Sequence, residues 1–434
     1  MPGTEDGAVH GPRTLIDDCV HCGFCLPACP TYNSWSEEMD SPRGRIDLMR
    51  GLAEGTLAFT DTVVAHFDRC LGCMGCVTAC PSGVRYDVLI EETRAAIEKE
   101  YRRPILDRLY RGFLFLLFPY PDRLKVVRRL LGLYASSGLR RVVRASGLLE
   151  ILPRRLAQLE TLMPPVTGGA ATSDVPGLTE AVPPARARVG LVSGCVQSVF
   201  FPEVNHATVR ALSAEGCEVA VPPGQGCCGA LSMHAGRDGE ALAFARALIP
   251  QFEGQRLDAV IVNAAGCGSH LKDYGRLFAA DPVWAERAAE FSARVRDVSE
   301  YLAAVAPAAP RHPIPLRVAY HDACHLAHAQ RVREPPRLLL RGIPGLEILE
   351  VPDGDQCCGS AGIYNLTEPA SAEEIGGRKA DNVVATGADL LVSANPGCTL
   401  QIQKILRQRG IDLPAAHPIE ILDASLAGAG FPPR

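Results

Sequence analysis

Two short cysteine runs constrain this chain of 434 residues more than any other feature. The first reads Cys19-x2-Cys22-x2-Cys25-x3-Cys29-Pro30 and the second Cys70-x2-Cys73-x2-Cys76-x3-Cys80-Pro81. Three thiolates at two-residue gaps can wrap three corners of an iron–sulfur cubane, and a fourth cysteine that leaves before a proline ligates the neighbouring cluster. The spacing therefore predicts two [4Fe–4S] clusters, one on Cys19, Cys22, Cys25 and Cys80, the other on Cys70, Cys73, Cys76 and Cys29. Structural zinc is the competing reading. It normally uses two Cys-x2-Cys pairs a dozen or more residues apart, a pattern these runs do not follow. Gly23, Gly72 and Gly75 would let the backbone approach the inorganic sulfides, and His21 and Arg69 flank ligands either as modulators of potential or as solvated surface.

The remaining composition agrees with a redox or metal role. Seventeen cysteines, an odd count in a long chain with no secretory pattern from Met1 to Asp18, argue against a disulfide framework. A net charge of −5 gives no sign of nucleic-acid binding. No stretch approaches the roughly 18 consecutive apolar residues of a transmembrane helix, so a cytoplasmic protein is expected.

Beyond the cysteine runs the chain changes character twice. Residues 101–160 carry 13 Lys/Arg against 4 Asp/Glu. Arg123, Lys125, Arg128, Arg129, Arg140, Arg141 and Arg144 alternate there with Leu and Val at helical spacing, as a basic amphipathic segment on an anionic membrane face or on an acidic partner would, or as solvated arginines over an apolar face packed on the domains. Residues 164–188 are rich in Pro, Gly, Ala and Thr and read as a linker.

Residues 189–434 repeat themselves. Val189-Gly-Leu-Val-Ser-Gly-Cys195, Gly226-Cys227-Cys228-Gly229 and Val260-Ile-Val-Asn-Ala-Ala-Gly-Cys267 recur as Val318-Ala-Tyr-His-Asp-Ala-Cys324, Gln356-Cys357-Cys358-Gly359 and Leu391-Val-Ser-Ala-Asn-Pro-Gly-Cys398, at offsets of 129, 130 and 131 residues. Solenoid periods are about 20–50 residues, so this is a duplicated domain. Ser299-Glu-Tyr-Leu302 and Ile419-Glu-Ile-Leu422 form a further match, and the Pro-rich stretch Pro307 to Pro315 separates the copies. Short β-branched runs alternate with helical patterns, which predicts an α/β fold with parallel sheets and places Cys195, Cys267, Cys324 and Cys398 at strand carboxyl ends. The expected organisation is a small α-helical two-cluster module over 1–100, a basic helical segment and linker over 101–188, a first Cys-Cys-Gly domain over 189–306 and a second over 317–434.

Neighbouring cysteines seldom bond to each other, because the ring is strained. Cys195, Cys227, Cys228 and Cys267, and likewise Cys324, Cys357, Cys358 and Cys398, could hold a further iron–sulfur centre, a zinc ion or a redox dithiol, or pack without metal. Cys217 reads as core. His234, His270, His321, His325 and His328 lie nearby, and His270 could be an extra ligand or an ordinary hydrogen-bonding histidine. No Gly-x-Gly-x-x-Gly directly after a strand, no P-loop and no nucleophile elbow is read, so no catalytic residue is assigned and the hydride chemistry is expected on another chain.

The tandem runs, the Ser41-Pro42-Arg43-Gly44-Arg45 stretch between them and the two Cys-Cys-Gly blocks resemble the glycolate oxidase iron–sulfur subunit family over nearly the whole chain. Gly226-Cys-Cys-Gly-Ala, Ala265-Gly-Cys-Gly and Gln356-Cys-Cys-Gly-Ser-Ala-Gly look closest to it. The resemblance implies a ferredoxin-like module with its eight cysteine ligands and a complex with FAD-containing dehydrogenase subunits. Those subunits would oxidise glycolate to glyoxylate, while this chain, inactive alone, passes electrons to a membrane acceptor such as a quinone at the inner face. The wider group supplies the alternatives: a subunit of a D-lactate or glycerol-3-phosphate dehydrogenase, or of a heterodisulfide reductase-like complex. Heterodisulfide reductase subunits of this type close each block with Cys-x2-Cys. Here Ser269-His270 follows Gly268 and Thr399-Leu400-Gln401 follows Cys398, which argues against that chemistry.

Overall fold

The computed structural model describes residues 13–163 and 175–431. Part of the stretch read as a linker, 164–174, lies outside the described residues.

The N-terminal module is helical. Pro30–Trp35 and Pro42–Ala53 each begin with proline, whose missing N–H is an unpaired donor at a helix start anyway. Ser41 caps the second by accepting from Gly44 N–H. With Asp61–Asp68 and Tyr86–Glu100 they enclose a core of Ile46, Met49, Phe67, Leu89, Ile90 and Ile97. In Tyr86–Glu100 the buried Leu89, Ile90, Thr93, Ala96 and Ile97 follow the three-and-four spacing of one helix face.

Each Cys-Cys-Gly block is an open parallel sheet. In the first, strands β1 (Leu178–Thr179), β2 (Ala187–Val192), β3 (Cys217–Ala220), β4 (Ala259–Val262) and β5 (Val295–Asp297) lie in the order β1-β3-β2-β4-β5. All pairings are parallel except β1 with β3. In the second, β6 (Leu316–His321), β7 (Leu346–Glu350), β8 (Leu390–Ser393) and β9 (Ala415–Ala416) run parallel in the order β7-β6-β8-β9. Buried on both faces, β4 and β8 are unbroken apolar or small runs, as enclosed parallel strands require. The two-residue β1 falls inside the stretch read as linker. It is too short for an alternation to register and is held by two antiparallel pairs and by Val221 N–H on the Gly177 carbonyl.

In each sheet the chain leaves β2 or β6 to one side and returns on the other, so a crevice opens beyond the carboxyl ends of β2/β4 and of β6/β8. Those are the ends that carry Cys195, Cys267, Cys324 and Cys398. Cys217 is fully buried at the start of β3, as read from the sequence. The helices Pro202–Ala214, Val298–Ala304 and Pro418–Leu426 sit between the two sheets and merge both copies into one apolar core. The repeated Glu of the Ser299 and Ile419 matches closes a capping box at each of the last two helices: Glu300 with Asp297, and Glu420 with His417.

Candidate iron–sulfur site

In the N-terminal module two adjoining cavities divide the eight cysteines. One is lined by Cys19, Cys22, Cys25 and Cys80, with Arg43 and Tyr86. The other is lined by Cys29, Cys70, Cys73 and Cys76, with Arg45 and Leu71. Cys76 borders both. The last cysteine of each run thus reaches across to the other run's cavity. Eight soft thiolates around two cavities suit two cubanes and exceed what one tetrahedral zinc ion needs.

The two cavities differ in electrostatics. Arg45 is buried beside the second, donating from Nε to the His66 carbonyl at 2.7 Å and from Nη1 to Thr31 Oγ1 at 3.2 Å. Burial works against ionising Cys70, but the guanidinium groups of Arg45 and Arg94 outweigh it and hold that thiol below its usual range. Burial raises the thiols of Cys73 and Cys76, with neighbouring cysteines adding to it, and brings Cys25 up to about 11. Clustered thiols that burial keeps protonated need cations, a metal above all, to carry them as thiolates. The first cavity is the more open, since Cys22 is exposed and Val20 and Phe24 project into solvent at its rim.

The Ser41–Arg45 stretch acquires distinct roles. Arg43 pairs with Glu38 at 2.6 Å and donates to the His21 carbonyl beside the first cavity. Gly44 lies against the Glu38 carbonyl, where a Cβ would collide with backbone. Arg45, Arg69 and His66 converge on the fully buried Asp40, at 3.3, 3.0 and 2.9 Å. Of the two residues flanking ligands, His21 pairs with Asp47 and Arg69 with Asp40.

In the first Cys-Cys-Gly block Cys195 Sγ lies 3.6 Å from Cys227 Sγ, and contacts continue through Cys228 to Cys267. In the second the chain of contacts runs Cys324, Cys357, Cys358, Cys398. Gly229 and Gly359 have φ of +88° and +82°, and a Cβ on either would stand 2.7 Å from the carbonyl oxygen of Ala241 or Ala372. The glycine after each cysteine pair is therefore a packing and backbone requirement, not a spacer. The second set adjoins the N-terminal module: Leu71 and Cys73 pack with Cys324 and Cys357 in one cluster.

Comparison with known proteins agrees with this arrangement. Residues 15–84 match the 4Fe-4S dicluster domain, 106–163 the linker region of the glycolate oxidase iron-sulfur subunit, and 189–272 and 318–403 the cysteine-rich domain. The probable glycolate oxidase iron-sulfur subunit of Bacillus subtilis is 39% identical over 421 residues, covering 95% of this chain and 94% of that one. The glycolate oxidase iron-sulfur subunit of Escherichia coli is 33% identical, covering 95% of each. The chain belongs to the family of glycolate oxidase iron–sulfur subunits. The crystal structure of a hypothetical protein from Helicobacter pylori shares the fold at 10% identity, with a TM-score of 0.52 over 88% of this chain and 72% of that one.

As in its family, then, the chain is an iron–sulfur protein with duplicated cysteine-rich domains. Its three parts also enclose a feature that no single motif announced. A polar cavity of about 670 Å³ lies between Tyr86–Glu100, the helix Ala265–Leu277 and the π-helical turn His325–Ala329. His234, His270, His325 and His328 face it, and Cys80 borders it. His234 and His325 rings stand 4.8 Å apart, and His234 Nδ1 lies 3.4 Å from Glu91. His328 Nε2 donates to the Asp355 carbonyl at 2.9 Å, and its Nδ1 meets the Thr78 hydroxyl at 2.7 Å. Burial drives His270 and His325 down to about 3, so both are neutral at physiological pH. The histidines were marked in the sequence by their nearness to the cysteine motifs, but Glu91 meets them only through the tertiary fold, so the sequence carried no local signal for it.

Proposed function

We propose that this chain is the electron relay of a complex that oxidises glycolate or a close 2-hydroxy acid. Electrons would come from partner subunits carrying FAD and leave toward a membrane acceptor such as a quinone. Cys19, Cys22, Cys25 and Cys80 would hold one [4Fe–4S] cluster and Cys70, Cys73, Cys76 and Cys29 the other, each able to take up and release single electrons when bound. The crossed lining of the two cavities carries this reading, because only a two-cluster module needs Cys29 and Cys80 to exchange sides. Arg45 and Arg94 offset the thiolate charge of the inner site. Cys22, Val20 and Phe24 leave the outer site an exposed edge for exchange with a partner. The anaerobically purified chain should contain about eight iron atoms with matching acid-labile sulfide. It should oxidise no 2-hydroxy acid with an artificial acceptor until the partner flavoprotein is added. Stoichiometric zinc without sulfide, or turnover by the chain alone, would overturn the proposal.

The same reading assigns docking to the helices between Ile105 and Ile151. No helix among the described residues is long and apolar enough to cross a membrane. These helices nevertheless expose Leu106, Leu109, Leu130, Leu133, Val142 and Ile151, an apolar surface that favours an interaction face. Two of the basic residues in this segment, Arg140 and Arg144, pair with Glu160. That favours a protein partner over an anionic bilayer. Leu130→Asp combined with Leu133→Asp should release the flavoprotein subunits in pull-down without changing iron content. Salt-sensitive sedimentation of the wild type with anionic vesicles would assign the face to the membrane instead.

A further inference from the structure

The two cysteine-rich domains share a fold but not a chemical environment. Val192 and His321 are the last residues of the equivalent strands β2 and β6. Ala264 and Asn395 are the equivalent residues that open the helices carrying Cys267 and Cys398. The matching contacts of Gly229 with Ala241 and of Gly359 with Ala372 align the helices Asp238–Phe252 and Pro369–Ala385, which sets Lys379 opposite Leu248. At these three equivalent positions the first domain carries Val192, Leu248 and Ala264 where the second carries His321, Lys379 and Asn395.

Each of the three polar groups in the second domain is arranged as a thiolate site requires. His321 is fully buried, and neither ring nitrogen has a hydrogen-bond partner. An orphaned imidazole in a core is costly unless something outside the protein satisfies it. One of its nitrogens and the sulfurs of Cys358 and Cys398 all lie within 4.8 Å of one another. Asn395 Nδ2 donates to Cys398 Sγ at 3.4 Å, the outer support that a metal-bound thiolate receives. Lys379 is buried, donates to the carbonyls of Asp353 and Gly354, and forms no ion pair with a carboxylate among the described residues. Burial works against its charge and lowers its pKa, with the neighbouring Cys358 and Cys357 the first groups to work the other way.

We propose that the second cysteine-rich domain, and not the first, holds a single divalent metal ion on His321, Cys358 and Cys398, with Cys357 as the nearest further thiolate. Cysteine and histidine donors together suit zinc or ferrous iron, which share this ligand chemistry. The site is independent of the relay reading, which rests on the N-terminal cysteines alone.

The test uses the full-length chain, purified anaerobically, incubated with zinc and assayed for zinc, iron and acid-labile sulfide. The wild type should carry one metal ion per chain beyond the iron that sulfide accounts for; metal analysis tells zinc from iron. Cys398→Ser, and His321→Val, which copies the first domain's own residue, should each lower that excess at least tenfold with sulfide unchanged. Cys267→Ser in the first domain should retain it. Cobalt loaded in place of zinc should give a thiolate charge-transfer band in the wild type that Cys398→Ser loses. A wild type with no excess metal, an equal loss in Cys267→Ser, or a loss of sulfide along with the metal in Cys398→Ser would overturn the proposal. Failure of the relay reading would appear separately, as absence of sulfide in every variant.

Discussion

Changing Cys29 to serine should remove the cluster served by Cys70, Cys73 and Cys76 and spare the one served by Cys19, Cys22 and Cys25, its own neighbours in sequence. The expectation follows from the cavity that Cys29 lines, where its side chain is buried. Iron should fall from about eight to about four atoms per chain, or to an intermediate value if a three-iron form survives. Double variants make the assignment decisive, because changes to one unit are not additive whereas changes to independent units are. Cys29→Ser with Cys70→Ser should cost no more iron than either alone. Cys29→Ser with Cys19→Ser should empty both sites. If Cys29 and Cys19 instead proved redundant with each other, each run would hold its own cluster and the crossed arrangement would be wrong.

Arg45→Met should destabilise the N-terminal module by about 3–5 kcal/mol, the usual cost of removing one partner from a buried ion pair. Asp40 is fully buried, and Arg69 and His66 would remain to face it. The change would also strip donors from the Thr31 hydroxyl and the His66 carbonyl. A second effect has a definite sign. Arg45 and Arg94 favour the ionised Cys70, so removing one of these cations disfavours added negative charge nearby. The midpoint potential of the inner cluster should fall, and that of the outer cluster should change less. Denaturant unfolding of the anaerobic protein and a redox titration followed by electron paramagnetic resonance check the two effects. A variant with unchanged stability and potential would show that Arg45 acts neither as a structural anchor nor on the cluster.

The parts legible from sequence were those whose chemistry is local. Two runs of closely spaced cysteines predict their own ligands, and a repeat offset near 130 residues predicts a duplicated α/β unit with cysteines beyond the strand ends. The buried knot on Asp40 was not legible, because its cations arrive from Arg45, His66 and Arg69, and their charges read like any surface charge. In the basic stretch the partner of Arg140 and Arg144 was not legible, because Glu160 lies one helical hairpin later. The Glu300 and Glu420 match was visible as repetition, but its purpose, closing a capping box, needed the backbone. The inequality of the two cysteine sites was hidden for another reason. The cysteines are the same in both copies, and although His321 and Asn395 stand within the repeated segments against Val192 and Ala264, they and Lys379 become neighbours only after folding.

The shared core between the two cysteine-rich copies bears on how such a protein could have arisen and how it comes apart. Val298 and Leu302 of the first copy are buried in one cluster with Leu340, Ile421 and Leu422 of the second. The Pro-rich stretch between the copies is pinned rather than slack: Arg311 pairs with Glu215, and His312 N–H bonds the Ser425 carbonyl. Separating the two copies would expose an apolar face on both halves. The duplicated unit should therefore melt as one cooperative block, and a single copy of it would need to cover the same face with another copy of itself. Gene fusion would then make such a pairing permanent.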